Sequence, residues 1–388
     1  MQNKYYRKPL ILVVDDVAKN IQVIGNLLVE QGYEISVAIN GEQAIETAKL
    51  TKPDLVLMDV MMPGIDGYQA CVEFKKDDEL KDIPIIFLTA KSDIEDIVKG
   101  FALGGVDYIF KPFNKSEVIA RIENHLELKF SKEIIIENNK KVSELKEKMD
   151  KELFIASDYF KSLLPNEIDN EYLKVNWKYV PTLQLGGDAF GYYFLNDHFI
   201  FYLFDVCGHG IASALYSINV LSNLKNRYLP DTDFTNPESV FSSLNKYYQM
   251  NEHHGFYFTI WYGAYNIKTR ELKYAAAGHH PGILFDNNDN AELINSANFI
   301  VGGKKQYDYA ANSYNISKNS DLYIFSDGTF EFELSNGDNW TINDLSKFLQ
   351  ARKNINADEL NEAYKFAISN NQEQIQKDDF SILKLHFY

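Results

Sequence analysis

The chain reads as multidomain: a doubly wound parallel α/β unit, a long helical linker and an α+β sandwich. Three observations predict this. Apolar strand-like runs alternate with helical stretches near the start, Lys115–Leu164 contains neither Gly nor Pro, and beyond Pro165 aromatic, alternating runs recur with helical stretches between them. At 388 residues the chain is too long for one ordinary domain, and its 45% hydrophobic content suffices for two cores.

In the first unit Leu10–Val14 is an apolar run ending in Asp15-Asp16. Leu55–Met58 ends in Asp59 and is followed by Met61, Pro63 and Gly67; Ile83–Leu88 ends in Thr89, and a run around Tyr108–Phe110 ends in Lys111-Pro112. Helical stretches at Ala18–Glu30 and Gly41–Lys49 make the sheet parallel, so these polar residues converge at the carboxyl ends of its strands, where such sheets gather ligands. Further on, Val142, Leu145, Met149, Leu153, Ala156, Phe160 and Leu163 follow at spacings of three or four, with Glu and Lys on the other faces. This stripe predicts a parallel, dimer-forming coiled coil rather than a solvated connector, although Glu127–Lys141 keeps the heptad poorly. After Pro165, strands are expected at Leu173–Val180, Tyr192–Leu195, Phe199–Phe204, Phe256–Asn266, Leu272–Ala276, Leu322–Phe325 and Phe380–Phe387. Helices are expected at about Ile211–Arg227, Pro237–Met250, Ile342–Gln350 and Ala357–Ser369, packed outside two sheets as an αββα sandwich.

Within the sandwich, Asp188 and Asp205 lie at equal distance from the turn Asn196-Asp197. If Tyr192–Leu195 and Phe199–Phe204 pair through that two-residue turn, the two aspartates face each other with backbones about 4.5–5.5 Å apart. Such a pair calls for a cation, and a dinuclear site of hard metals roughly 3.5–4 Å apart needs carboxylates at this spacing. Two further aspartates sit at strand ends: Asp327 in Ser326-Asp327-Gly328 and Asp378 in Lys377-Asp378-Asp379-Phe380.

The formal net charge of −16 argues against broad binding to nucleic acid or to anionic membranes, which need clustered positive charge. Only Cys71 and Cys207 are present, too far apart to suggest a disulfide framework or zinc site. No apolar run approaches the roughly 20 residues of a membrane span and no signal core follows Met1–Lys8, so the expected location is cytoplasmic.

Asp15, Asp16, Asp59, Thr89 and Lys111, in this order and spacing, closely resemble the receiver domain of bacterial two-component response regulators, a flavodoxin-like fold. The resemblance covers about Leu10 to Leu126. It implies that Asp59 accepts the phosphoryl group, that Asp15 and Asp16 hold Mg²⁺ with Asp59 and the carbonyl of Met61, that Thr89 and Tyr108 form the switch pair, and that Lys111 binds the phosphoryl oxygens. Gly105 stands where that family usually has Ala.

From about Phe154 to Tyr388, the segments Ser157–Pro165, Gly186-Gly187-Asp188, Asp205–Gly210, Ala277-Gly278-His279-His280-Pro281, Ser326–Glu331 and Asp378–Ser381 resemble, in order, the PPM-type serine/threonine phosphatases, in the branch with the stage II sporulation and stress-regulator phosphatases. That resemblance implies that Asp188, Asp205, Asp327 and Asp378, with the carbonyl of Val206, bind two Mn²⁺ or Mg²⁺ ions that activate water for in-line attack on phosphoserine or phosphothreonine. Gly191 stands where the branch often has an acid, Cys207 where eukaryotic relatives place a histidine, and the choice of Asp378 over Asp379 rests on the resemblance alone. His279 and His280 read as structural turn residues, His253 and His254 as solvent-facing, His209 as out of register, and Glu331 as a cap on the turn after Asp327.

The expected division is therefore a receiver at residues 1–126, a coiled-coil linker at 127–164 and a phosphatase domain at 165–388. The resemblances imply that a sensor histidine kinase phosphorylates Asp59 and that the protein, expected to be a homodimer from its helical stripe, then dephosphorylates a substrate, an anti-sigma-factor antagonist. The rival is an inactive, phosphorylation-controlled adaptor that sequesters a sigma factor. A DNA-binding regulator is disfavoured, because no basic helix-turn-helix follows the first unit.

Overall fold

The computed structural model describes residues 7–90, 94–208, 210–252, 255–353, 358–370, 376 and 378–388. His209, His253, His254 and Lys377 lie outside the described residues. The chain divides into two compact units, Met1–Glu147 and Lys148–Tyr388.

The first unit alternates strand and helix: β1 (Leu10–Val14), α1 (Ala18–Glu30), β2 (Glu34–Ala38), α2 (Gly41–Thr51), β3 (Leu55–Asp59), α3 (Gly67–Lys76), β4 (Ile85–Thr89), α4 (Ile94–Ala102) and β5 (Asp107–Phe110). All its strand pairs are parallel, in the order β2-β1-β3-β4-β5. β1, β3 and β4 are almost wholly buried because helices cover both faces, which is why they read as unbroken apolar runs. β2, α3 and α4 were not assigned from the sequence. β2 carries Glu34 and Ser36 and is only partly buried, as suits a strand at the sheet edge. Gly105 also finds a reason here, since a Cβ at this position meets the Phe87 ring at 2.3 Å.

Helix α5 (Lys115–Leu163) runs for 49 residues and ends just before Pro165. At its start Val118, Ile122, Leu126 and Phe130 are buried in the first core. Buried Asp54 fastens the same stretch by accepting hydrogen bonds from Arg7, Leu10 N–H and Lys129. The apolar stripe then divides. Val142, Leu145 and Met149 are exposed, whereas Leu153, Ala156 and Leu163 pack on the core of the second unit and Phe160 is buried inside it. The lower half of the expected dimer seam thus serves a folded core. Leu128 and Ile135, both exposed, continue the upper half at intervals of seven residues.

The second unit contains β6 (Ile168–Asp169), β7 (Leu173–Val180), β8 (Ala189–Leu195), β9 (His198–Val206), α6 (Ile211–Lys225), α7 (Pro237–Tyr247), β10 (Phe258–Asn266), β11 (Glu271–Ala277), β12 (Gly282–Phe285), β13 (Ala291–Ile294), β14 (Asn312–Asn315), β15 (Ser320–Phe325), β16 (Phe332–Glu333), β17 (Asn339–Trp340), α8 (Ile342–Arg352), α9 (Glu359–Asn370) and β18 (Phe380–Phe387). Two sheets, β14-β11-β10-β9-β8 and β13-β12-β15-β18-β7-β6, stack in a sandwich. Helices α6 and α7 join the first sheet's core, and α8 and α9 cover the outer face of the second. The short strands β6, β12–β14, β16 and β17 were not assigned from the sequence, since two to four residues carry little periodicity. Among the described residues, no helix is long and apolar enough to cross a membrane.

Candidate functional sites

At the carboxyl ends of β1, β3 and β5 the first unit gathers a cationic nitrogen and three acids. Lys111 Nζ lies 2.8 Å from Asp15 Oδ2 and 2.8 Å from Asp59 Oδ2. Carboxylate oxygens of Asp15, Asp16 and Asp59 lie within 4.8 Å of one another. Asp15 is occupied further by Val17 N–H and the Asn20 amide, both 2.9 Å from its Oδ1. Burial raises the pKa of Asp59, Asp15 adds to the rise, and Lys111 opposes it. Burial disfavours the Lys111 charge, but its hydrogen bonds to Asp15 and Asp59 prevail and raise its pKa.

Gly67 opens α3 against this site, where a Cβ stands 2.2 Å from the Asp59 carbonyl, so the tight return of the chain needs glycine. Thr89 ends β4 and is buried, and its carbonyl accepts the Lys111 N–H at 2.8 Å. The Tyr108 hydroxyl, also buried, donates to the Ile97 carbonyl at 3.1 Å beneath α4. Met61 is 63% exposed in the loop after β3, next but one to Asp59 in sequence.

In the second unit the β8–β9 register runs from Leu195↔His198 to Ala189↔Phe204 across the turn at Asn196 and Asp197. One more step sets Asp188 opposite Asp205. Asp188 is buried, and its Oδ2 accepts the Ser381 hydroxyl at 2.5 Å. Burial first, then Asp205 and Asp379, push its pKa well above the usual carboxylate range. Burial, followed by Asp327, Asp378 and Asp379, raises Asp205 to about 8, while a hydrogen bond with Asp188 works the other way. Two buried carboxyls set opposite each other need a shared proton or a cation. Asp327 begins the turn after β15, and burial, then Glu331 and Asp379, raise its pKa against the favourable Gly328 N–H. Its Oδ1 is buried without a hydrogen-bond partner, an arrangement that fits a divalent cation better than an isolated protein.

The two neighbouring aspartates before β18 differ in use. Asp379 is buried and accepts Thr182 N–H at 2.8 Å and Asp188 N–H at 3.2 Å. Asp378 is exposed, and its Oδ1 accepts Asp379 N–H at 2.8 Å. Asp379 therefore ties the loops together, and Asp378 is exposed, its charge adding to the rise in the Asp205 pKa. The glycines permit the approach: a Cβ on Gly186 lies 2.2 Å from Asp379 Oδ2, one on Gly187 2.8 Å from the Val206 carbonyl, and one on Gly328 2.2 Å from the Asp379 carbonyl.

Other sequence readings change here. Gly191 is filled across the strand pair by Tyr202, whose hydroxyl lies 2.4 Å from a Cβ at that position, so packing leaves no room for an acid. Cys207 Sγ accepts Tyr257 N–H at 3.3 Å. Glu331 was expected to cap its turn, yet its carboxylate stands within 4.8 Å of ligand atoms of His280 and Asp327, and its N–H donates to the Asp327 carbonyl at 2.7 Å. Nothing in the spacing of Glu331 distinguished these two roles. Burial lowers the His280 pKa against the pull of Glu331, and burial with neighbouring His280 brings His279 down to about 3.

These shifts fix a pH dependence. Asp205 binds its proton more tightly when folded, so the stability it allows is present below its unfolded pKa and is lost as pH rises through about 8. His279 has the opposite sign, its contribution being lost as pH falls from 6.5 toward about 3, which leaves the interval above 6.5 to the carboxylates. In EDTA, the melting temperature of the second unit's transition is expected to fall by roughly 5 °C or more between about pH 6.5 and 8.5, with Mn²⁺ restoring it, since about 1 kcal/mol moves such a domain by 2–4 °C. Differential scanning calorimetry on the full chain checks this. A flat profile in EDTA means that the acids are not coupled.

Comparison with known proteins agrees with both architectures. Residues 11–123 match the family model of the response regulator receiver domain, and residues 196–388 match that of Stage II sporulation protein E (SpoIIE). A probable transcriptional regulator, ycf27, of Cyanophora paradoxa is 44% identical over 31% of this chain and 48% of its own length. The transcriptional regulatory protein YvrH of Bacillus subtilis is 45% identical over 30% of this chain and 48% of its own. The chain thus spans about half the length of these curated relatives. The SiaA-PP2C domain of Pseudomonas aeruginosa shares the sandwich fold at 17% identity, covering 63% of this chain and 99% of that domain with a TM-score of 0.54. Asp188 precedes the matched SpoIIE span, so its place in the cluster rests on the β8–β9 register.

Proposed function

We propose, from the premise that this chain joins a response-regulator receiver domain to a PPM-type phosphatase domain of the SpoIIE family, that phosphorylation of Asp59 controls hydrolysis of phosphoserine or phosphothreonine in a protein substrate. The observation that carries the catalytic half is the opposed pair Asp188–Asp205 beside an unpartnered Asp327 oxygen. Asp188, Asp205, Asp327 and Asp378, with the Val206 carbonyl, are the groups that would hold two Mn²⁺ or Mg²⁺ ions. When bound, such ions neutralise phosphate charge and acidify water near neutral pH. The protein's own part is to hold these acids in place: Ser381 holds Asp188, and Asp379 pins the Thr182 and Asp188 backbones, while the charge of bound cations would favour their deprotonated forms.

In the receiver, Asp15, Asp16, Asp59 and the Met61 carbonyl would hold Mg²⁺, and Lys111 would neutralise an incoming phosphoryl group from a donor such as a histidine kinase. Thr89 and Tyr108 are the proposed switch pair. The substrate proposed is a phosphorylated anti-sigma-factor antagonist, a choice supported by resemblance to the SpoIIE branch. Phosphate release from phosphoproteins in Mn²⁺, before and after acetyl phosphate treatment, tests the whole reading. A wild type inactive toward every phosphoprotein at saturating Mn²⁺ supports the adaptor instead.

The upper part of α5 supports a second copy of this chain as partner. Leu128, Ile135, Val142, Leu145 and Met149 leave an apolar stripe in water, and pairing two such helices gains about 25 cal/mol per Å² buried. Leu145→Glu with Met149→Glu should turn a dimer into a monomer by light scattering and break the response of phosphate release to acetyl phosphate. A monomeric wild type that still responds rules out the helix pair as the route of control.

A further inference from the structure

We infer that a groove beside Asp327 receives the substrate chain next to its phosphorylated residue and selects an arginine there, a reading that rests on the hydrolytic function proposed above. The groove holds about 500 Å³ and is lined by Phe330, Phe332 and Trp340 together with Glu331, Glu333 and His280. His280 and Glu331 also belong to the Asp327 cluster, so the groove begins at the carboxylates. A phosphoryl group held at those carboxylates therefore places neighbouring substrate residues along this wall.

The wall is built to stay in place. Phe332 and Trp340 face each other across the β16–β17 pair with rings stacked at 6.1 Å. Phe366 and Phe348 pack against Trp340, and the Phe330 ring stands edge-on to His280 at 4.7 Å. Phe332 and Trp340 are half-buried, while Glu331 and Glu333 are exposed. Among the described residues, neither glutamate forms an ion pair with Lys or Arg. Aromatic faces bordered by two uncompensated carboxylates match a guanidinium, which stacks on rings and donates to carboxylates through one planar group. An acidic flank meets like charge and is rejected.

The probes are short fluorescein-labelled phosphoserine peptides with arginine or glutamate on both sides of the phosphorylated residue. Binding to the full chain in Mn²⁺ is followed by anisotropy, and hydrolysis by phosphate release. The arginine peptide is expected to bind at least tenfold more tightly, with the preference shrinking at high salt. Glu333→Gln should reduce this ratio and Glu333→Lys should invert it, ratios within one variant being insensitive to a loss of folded protein. Equal affinities in wild type, or a ratio unchanged in Glu333→Lys, overturn the groove assignment. Phosphate release without preference sinks the groove and leaves the enzyme standing. An arginine preference without phosphate release does the reverse.

Discussion

Asp205→Asn should lower Mn²⁺-dependent phosphate release by about 10³-fold or more, because losing a charged ligand costs several kcal/mol of barrier and each 1.36 kcal/mol is tenfold. The side chain sits against Asp188 and within the fields of Asp327, Asp378 and Asp379, so it contributes most where the negative charge is densest. An amide of the same shape removes one of those charges. The metal-free variant should therefore fold at least as well as wild type, with a flatter stability profile above pH 6.5, and melting in EDTA separates loss of metal from loss of fold. The neighbours before β18 give the internal contrast. Asp378→Asn should behave like Asp205→Asn, whereas Asp379→Asn turns one of the two acceptors serving Thr182 and Asp188 into a donor, costing about 1–3 kcal/mol of stability. Full activity in Asp205→Asn, or a heavier catalytic loss at Asp379 than at Asp378 in folded protein, defeats the ligand assignment.

What the sequence disclosed follows from where the information sits. The apolar runs of β1, β3 and β4 announced a buried parallel sheet because both faces of each strand are covered, and the equal spacing of Asp188 and Asp205 from one turn was enough to set their register. Hairpin arithmetic is local, so it survives translation into three dimensions. Glu331 and Asp379 were harder. Each lies within four residues of a candidate ligand, and only the folded packing shows that Asp379 is buried on the Thr182 and Asp188 N–H groups while Asp378 is exposed, and that Glu331 stands beside Asp327 and His280. The lower stripe of α5 failed for a related reason: periodicity reports that a face is apolar, not whether a second helix or the sandwich core covers it. Gly191 taught the converse, since a missing acid proved to be a place occupied by Tyr202.

Asp59→Asn should abolish labelling by acetyl phosphate while the chain stays folded. Among the acids at the strand ends, Asp15 already accepts Val17 N–H, the Asn20 amide and Lys111, which leaves its oxygens committed. Deeper in the same unit Asp54 is enclosed by Arg7, Leu10 N–H and Lys129. Asp59 ends its strand with Lys111 2.8 Å away, so an incoming phosphoryl group finds both a nucleophile and a cation to neutralise its oxygens. The substitution keeps the shape of the side chain and removes the attacking oxyanion. Intact-mass spectrometry after acetyl phosphate and Mg²⁺ should therefore show a single hydroxylamine-labile adduct on wild type lost in the variant, since an acyl phosphate yields to hydroxylamine where a phosphoserine does not. Because the phosphatase domain carries its own carboxylates, the variant should retain unstimulated phosphate release and lose the response to acetyl phosphate. A hydroxylamine-resistant adduct of undiminished size on Asp59→Asn places the phosphate elsewhere and removes the receiver from the proposed control of phosphate release.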